Sequence, residues 1–159
     1  VTVVYDFSAE QYRRYQLDRS LTGALVNHAQ IPAFVVELGP ARITPKRFID
    51  AGERGIMNLL HHFGMLPERP PQIDPSCIDA GYPLRRDPYV YASTTGIVDF
   101  QVEPGNVVRT GQTLALVRSI VGEVVESVRA VRDGYVLGLA EYTVVFPGNY
   151  LMTLAVKDD

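Results

Sequence analysis

The sequence has a single cysteine, no apolar run long enough to cross a bilayer, no basic excess, and no lysine between Lys46 and Lys157. Cys77 cannot form an internal disulfide by itself, which fits a reducing cytoplasm. A spanning helix needs about 20 consecutive apolar residues. No such run occurs, nor does a basic segment followed by an apolar one of the kind that marks secretion, so no membrane partner is expected. The formal charge is −3 and the arginines are scattered rather than grouped with aromatics, so nucleic acid is not an expected partner either. What is present is 159 residues, 47% of them apolar, which suffices for one ordinary domain or two small ones.

The chain starts with Val1 instead of Met, and Val1-Thr2-Val3-Val4-Tyr5 is strand-like at once, which raises the expectation of a longer polypeptide. Ser8-Ala9-Glu10-Gln11 has the spacing of a capping box, in which a hydroxyl and an amide side chain each satisfy the other's backbone N–H, so a helix should begin there. Asp18-Arg19-Ser20 interrupts it. Leu21, Ala24, Leu25 and His28 then share one helical stripe, and His28 in that stripe reads as a packed, hydrogen-bonded core residue.

Ile31-Pro32-Ala33-Phe34-Val35-Val36-Glu37-Leu38-Gly39-Pro40 is the organising stretch. Pro32 suits a strand entry, Ala33 to Leu38 read as a buried strand, and Gly39-Pro40 ends it. Glu37 would lie at the carboxyl end of that strand, where open α/β sheets bind ligands. An acid leaving the core for water satisfies the same pattern. After it, Thr44-Pro45 reads as a cap and first helical residue. Phe48, Gly52, Ile56, Leu59, Leu60 and Phe63 trace one helical face, and Gly64 supplies a stop. His61 and His62 project about 100° apart on a helix, so they cannot jointly hold one metal, and the negative end of the helix dipole gives them a simpler role.

From Pro67 to Pro88 six prolines run through a segment without sustained periodicity, which reads as an extended connector. It holds Cys77 and Arg85-Arg86, either a solvated pair or a carboxylate clamp. From Tyr89 the period becomes two, with strands expected over 96–102, 112–117, 123–131, 134–140 and 150–156. A faint repeat aligns Gly96-Ile97-Val98…Pro104-Gly105-Asn106 with Gly134-Tyr135-Val136…Pro147-Gly148-Asn149, which implies two similar halves closing on a common core.

This second half resembles the barrel-sandwich hybrid fold of biotinyl and lipoyl domains through Val102-Glu103-Pro104-Gly105-Asn106 and Asp133-Gly134-Tyr135-Val136. Those domains carry their cofactor on a hairpin lysine. The corresponding place, Val117 to Glu123, has none, so neither biotin nor lipoate is expected. Taken with Val35-Val36-Glu37-Leu38-Gly39 and Leu59-Leu60-His61-His62-Phe63-Gly64-Met65-Leu66, the chain resembles the carboxyl-terminal portion of the succinylglutamate desuccinylase/aspartoacylase family. That resemblance implies an α/β fold: part of a zinc-carboxypeptidase-like αβα domain over residues 1–66, the Pro-rich connector over 67–88, and an all-β barrel-sandwich module over 89–159.

The resemblance also implies a zinc-dependent amidohydrolase that cleaves the amide bond of a small N-acyl amino acid. Glu37 would be the catalytic carboxylate, passing a proton from the attacking water to the leaving amine. The family's His-x-x-Glu zinc pair does not occur here and would precede Val1, so the chain alone is expected to lack zinc ligands and activity. Arg19 is a candidate for the substrate carboxylate, with a surface salt bridge as its other reading. The implied partners are that carboxylate-bearing substrate and the remainder of the catalytic domain, and edge strands leave a homo-oligomer open. A non-catalytic binding or assembly module is the alternative reading.

Overall fold

A computed structural model describes residues 4–5, 7–39, 43, 45–68, 79–87 and 90–157. It is a mixed α/β structure, mostly β, with two sheets. The chain divides into two compact units, Val1–Ser8 with Ile78–Asp159, and Ala9–Cys77.

Among the described residues the first unit has ten strands: β1 Val4–Tyr5, β2 Leu84–Arg86, β3 Val90–Tyr91, β4 Gly96–Phe100, β5 Val107–Val108, β6 Thr113–Arg118, β7 Val124–Arg129, β8 Gly134–Leu139, β9 Val144–Val145 and β10 Tyr150–Lys157. One sheet runs β1-β2-β10-β8-β5 with β3 also on β10, and the other runs β7-β6-β4-β9. Both sheets feed one core. Val108, Val136, Leu151, Met152, Leu154 and Val156 enter it from the first sheet, and Leu114, Val117, Val128 and Val145 from the second. Glycine turns cut the sequence into runs too short to bury an apolar face alone, so closing two sheets on each other is the favourable solution.

The longer strands fall where alternation places them. β10 is buried continuously from Leu151 to Val156, so side chains on both of its faces are covered. The parallel pairing of β1 with β2 draws in Val4–Tyr5 and a piece of the Pro-rich segment. Strands of two or three residues have no period to read, and their place is set by the neighbouring ladder: β2 and β3 on β10, β1 on β2, β5 on β8 and β9 on β4.

The repeat is real and its strands keep the register of the sequence alignment, since Gly96 and Ile97 pair with Val145 and Val144 of β9 as Gly134 and Tyr135 pair with Val108 and Val107 of β5, but its turns do not. Val102-Glu103-Pro104-Gly105-Asn106 and Val145-Phe146-Pro147-Gly148-Asn149 are the same turn twice, with Gly105 at φ 93° and Gly148 at φ 86°. In each, the asparagine Oδ1 accepts from the backbone N–H three residues earlier, Glu103 and Phe146, both at 3.0 Å. Gly105 N donates to Val136 O (2.8 Å) and Val136 N to Asn106 O (2.9 Å), while Gly148 N donates to Ala92 O and Ala92 N to Asn149 O (both 2.9 Å). By the strand register the counterpart of the second turn is not 102–106 but Val108-Arg109-Thr110-Gly111-Gln112, where Gln112 Oε1 accepts from Arg109 N (3.0 Å), Gly111 N donates to Ala130 O (2.7 Å) and Ala130 N donates to Gln112 O (2.9 Å).

One carboxylate ties the second sheet to the loop between β3 and β4. Glu126 accepts from Ser93 N (3.0 and 3.1 Å), Thr94 N (3.0 Å) and Thr94 Oγ1 (2.8 Å). Burial works to raise its pKa, but the hydrogen bonds from Thr94 and Ser93 outweigh it and hold the carboxyl below its ordinary value. Glu126→Gln brings an amide donor against these donors and is expected to cost about 1–2 kcal/mol at neutral pH. A depressed folded-state pKa means the contribution is full above the unfolded carboxylate value and is lost as pH falls through the folded one. Melting curves of the two proteins should therefore differ at pH 7 and converge in the acid range. An equal gap at every pH rejects the ionised clamp.

The second unit contains α1 Ala9–Arg14, a 3-10 turn Leu17–Arg19, α2 Leu21–Asn27 and α3 Lys46–His62. The interruption at Asp18-Arg19-Ser20 is the 3-10 turn followed by a cap, since the Ser20 hydroxyl accepts from Gly23 N at 3.1 Å. α3 begins directly after Pro45; the expected cap Thr44 lies outside the described residues. Its end is closed by Gly64 N to His61 O and Met65 N to Leu60 O, both 2.9 Å. Among the described residues of these four elements only Gly23 is buried.

Candidate active site at Glu37

Residues 31–38 form no strand, which differs from the expectation of a buried one. Phe34, Val35, Val36 and Leu38 are 69%, 73%, 59% and 51% exposed, and Glu37 is exposed with them. The apolar pattern is that of a strand, but a strand exists only through a ladder, and no described strand lies against this segment. The segment does meet α3. A Cβ placed on Gly52 would lie 2.6 Å from Leu38 Cδ1, and one on Gly39 would lie 2.6 Å from Phe48 Cδ2, so small residues let chain and helix approach closely here.

The other candidate residues are dispersed. Arg19 is exposed in the 3-10 turn, where its Nη1 donates to Gln16 Oε1 at 3.3 Å; it makes no ion pair with Glu37 among the described contacts. His28 is exposed at the C-cap of α2 rather than packed in a core, while Ala24 and Leu25 of the same stripe are half-buried. His61 Nδ1 lies 3.2 Å from the Leu66 carbonyl, and the His62 ring stands edge-on to Phe63 at 5.2 Å. Both lie in the last turn of α3. Cys77 lies outside the described residues.

The described residues do not fit a zinc site. No three His, Cys, Asp or Glu side chains among them are grouped to hold a metal ion, whereas catalytic zinc takes three protein ligands and an open position. The fit fails on the donor set itself. The helix-end histidines face a carbonyl and a phenyl ring, and His28 stands on a different helix.

Arg85 is already engaged inside the β unit. Its Nη1 lies 3.5 Å from Asp87 Oδ1, and Arg132 Nε lies 3.8 Å from Oδ2 of the same buried acid. An acid shared between two guanidinium groups organises the end of β2, a role that sequence spacing could not assign because Arg132 is far along the chain. At the hairpin joining β6 to β7, Ser119 N donates to Glu123 O (2.8 Å) and Gly122 N to Ser119 O (2.9 Å), leaving Ile120 93% exposed at the tip. No helix among the described residues is long and apolar enough to cross a membrane.

The fold is shared with known hydrolase structures. A succinylglutamate desuccinylase from Silicibacter sp. TM1040 superposes with a TM-score of 0.67 at 22% identity, over 96% of this chain and 44% of that one. The product-bound ectoine utilization protein EutE (DoeB) from Ruegeria pomeroyi matches with a TM-score of 0.68 at 20% identity, over 97% and 44%. A succinylglutamate desuccinylase/aspartoacylase from Rhodobacter sphaeroides matches with a TM-score of 0.65 at 21% identity, over 99% and 53%. The chain thus has the fold of a part of these proteins and spans about half their length. No family model and no curated protein matches the sequence significantly.

Proposed function

We propose that this chain is the carboxyl-terminal part of a zinc-dependent amidohydrolase acting on small N-acyl amino acids, with Glu37 as its general acid and base. The observation carrying this reading is the likeness to desuccinylase and aspartoacylase structures over nearly the whole chain, at TM-scores of 0.65 to 0.68. In this reading residues 1–66 are a fragment of the αβα catalytic domain, and residues 89–159 are a barrel-sandwich hybrid without a carrier lysine. The zinc ligands in this reading come from polypeptide upstream of Val1, as the greater length of the similar structures allows.

The step assigned to this chain is a proton transfer. The Glu37 carboxylate takes a proton from water as the oxygen bonds to the amide carbon. The resulting carboxylic acid then returns that proton to nitrogen as the C–N bond breaks. One residue at one place serves both halves of the reaction.

The protein extended upstream through its own reading frame should hydrolyse members of a panel of N-acyl amino acids. Activity should fall to background with a chelator and return with added Zn²⁺. The 159-residue chain alone should be inactive. In the same assay Arg19→Ala reads whether that guanidinium grips the substrate: KM rises at constant kcat if it does, and neither changes if it lies on the surface. An extended protein that turns over no member of the panel overturns the reading.

A further inference from the structure

The repeat relates the two sheets of the β unit, so their outer faces can be compared position by position. Ile97 of β4 lies between Val144 and Arg118 as Tyr135 of β8 lies between Val107 and Ala155. In the first sheet this row is covered. Ala155 is fully buried, although it alternates with the core residues Leu154 and Val156 and so turns outward. In the second sheet the matching row lies open, with Val144 and Ile97 51% and 40% exposed.

The open row crosses the whole sheet. Strand register sets Val144 of β9, Ile97 of β4, Arg118 of β6 and Val124 of β7 side by side, with Asp99, Leu116 and Ser127 in the next row. Val98 and Val117, which alternate with them, pack on the core. Val124 is 50% exposed. A sheet with one wet face places polar side chains on it, whereas three of the four outward positions in this row are branched apolar residues. No lysine, the side chain that most often keeps sheets from associating, falls in any of the four strands. The charges in the two rows cancel, since Arg118 Nε lies 3.3 Å from Asp99 Oδ2.

We propose that this outer face packs on the same face of a second copy of the chain. The face is turned away from the first sheet, and the first sheet is where the β unit joins the rest of its own polypeptide. Upstream residues would enter through β1, and the segment Ala9–Cys77 leaves after β1 and returns through β2. A second copy is free of that tether. The face is also its own complement. About a two-fold axis the apolar row meets itself, and Arg118 of each copy comes opposite Asp99 of the other, so no like charges are forced together. Sheets packed face to face lie about 10 Å apart, and the stem of Arg118 can lie among the valines in that layer. A strongly charged partner finds nothing to answer it, because the one ion pair is already neutral. The proposal goes beyond the hydrolytic reading and does not depend on it.

Sedimentation velocity and light scattering on the upstream-extended protein, over a concentration series to about 100 µM, should show a dimer. Val124→Lys and Val144→Lys lie at the two ends of the row and each enters a two-fold interface twice, so either should raise the dimer Kd at least ~100-fold. The double variant Val124→Thr/Val144→Thr keeps branched side chains that suit a strand and should raise it about tenfold, which keeps the test decisive where a lysine variant folds poorly. Val107→Lys, at the matching position of the first sheet, should leave the Kd unchanged. A monomer throughout the series overturns the proposal. So does a dimer that ignores the valine variants, or one lost equally in Val107→Lys. A dimer formed by the 159-residue chain but absent from the extended protein overturns it too, and gives the face to the upstream polypeptide. None of these results bears on Glu37 or on hydrolysis.

Discussion

Leu114→Ala is expected to destabilise the β unit by roughly 3–4 kcal/mol, the range seen when a buried leucine is cut back in a core that cannot collapse around the gap. Leu114 is fully buried in β6, in one cluster with Val108, Val136, Leu151 and Leu154 of the opposite sheet. Relaxation is restricted because β6 is held on both edges, by β4 and by β7. Small domains have only about 5–15 kcal/mol of stability, and for 60–100 residues each kcal/mol shifts the melting point by roughly 4–8 °C. A drop of at least ~12 °C is therefore expected. Ile120→Ala at the exposed hairpin tip removes a larger aliphatic side chain than Val and should still move the midpoint by no more than about 0.5 kcal/mol. Denaturant titration of both variants decides it, and similar shifts would mean that Leu114 is not in the core.

The β unit was legible because its information is local. Glycine turns mark the ends, alternation marks the strands, and Gly96-Ile97-Val98 and Gly134-Tyr135-Val136 mark the two equivalent strands. What could not be read was which turns correspond, 108–112 answering to 145–149 where the shared Pro-Gly-Asn pointed to 102–106, and pairing across distance, such as Glu126 reaching Ser93 and Thr94 or Arg132 sharing Asp87 with Arg85. Those contacts depend on how the sheets close, and no spacing rule encodes them. The helices of the second unit were legible for the same local reason, through Ser8, Pro45 and Gly64.

Burial in that unit was not legible in the same way. His28 and Val36 have the pattern of residues in contact with a layer, and the pattern is a property of the side chains alone. Whether a layer is there depends on other polypeptide. The expected strand at Ala33 to Leu38 fails among the described residues not because its residues disfavour extended backbone, since Val and Phe favour it, but because a ladder needs two participants. The acid placed at its end inherits that dependence, so Glu37 was legible as a candidate from its position in the sequence but not as a site with neighbours.

Glu37→Gln is expected to lower kcat of the upstream-extended enzyme by about 10²–10⁴-fold, the usual worth of a positioned general acid or base. The substitution keeps the length and shape of the side chain and its capacity to accept a hydrogen bond. It removes only the ability to hold and release a proton at neutral pH. Substrate binding that relies on other groups should persist, so KM should change far less than kcat. This split separates the proposed role from a structural one. A strand-end glutamate that merely meets water would give Gln a wild-type rate, and one needed for folding would lower the yield of folded enzyme while leaving kcat per active molecule unchanged. Active-site titration together with hydrogen exchange over residues 33–38 tells these apart. Full activity per folded molecule in Glu37→Gln would leave this chain without a residue that takes part in the chemistry, and its contribution to hydrolysis would then be that of a scaffold.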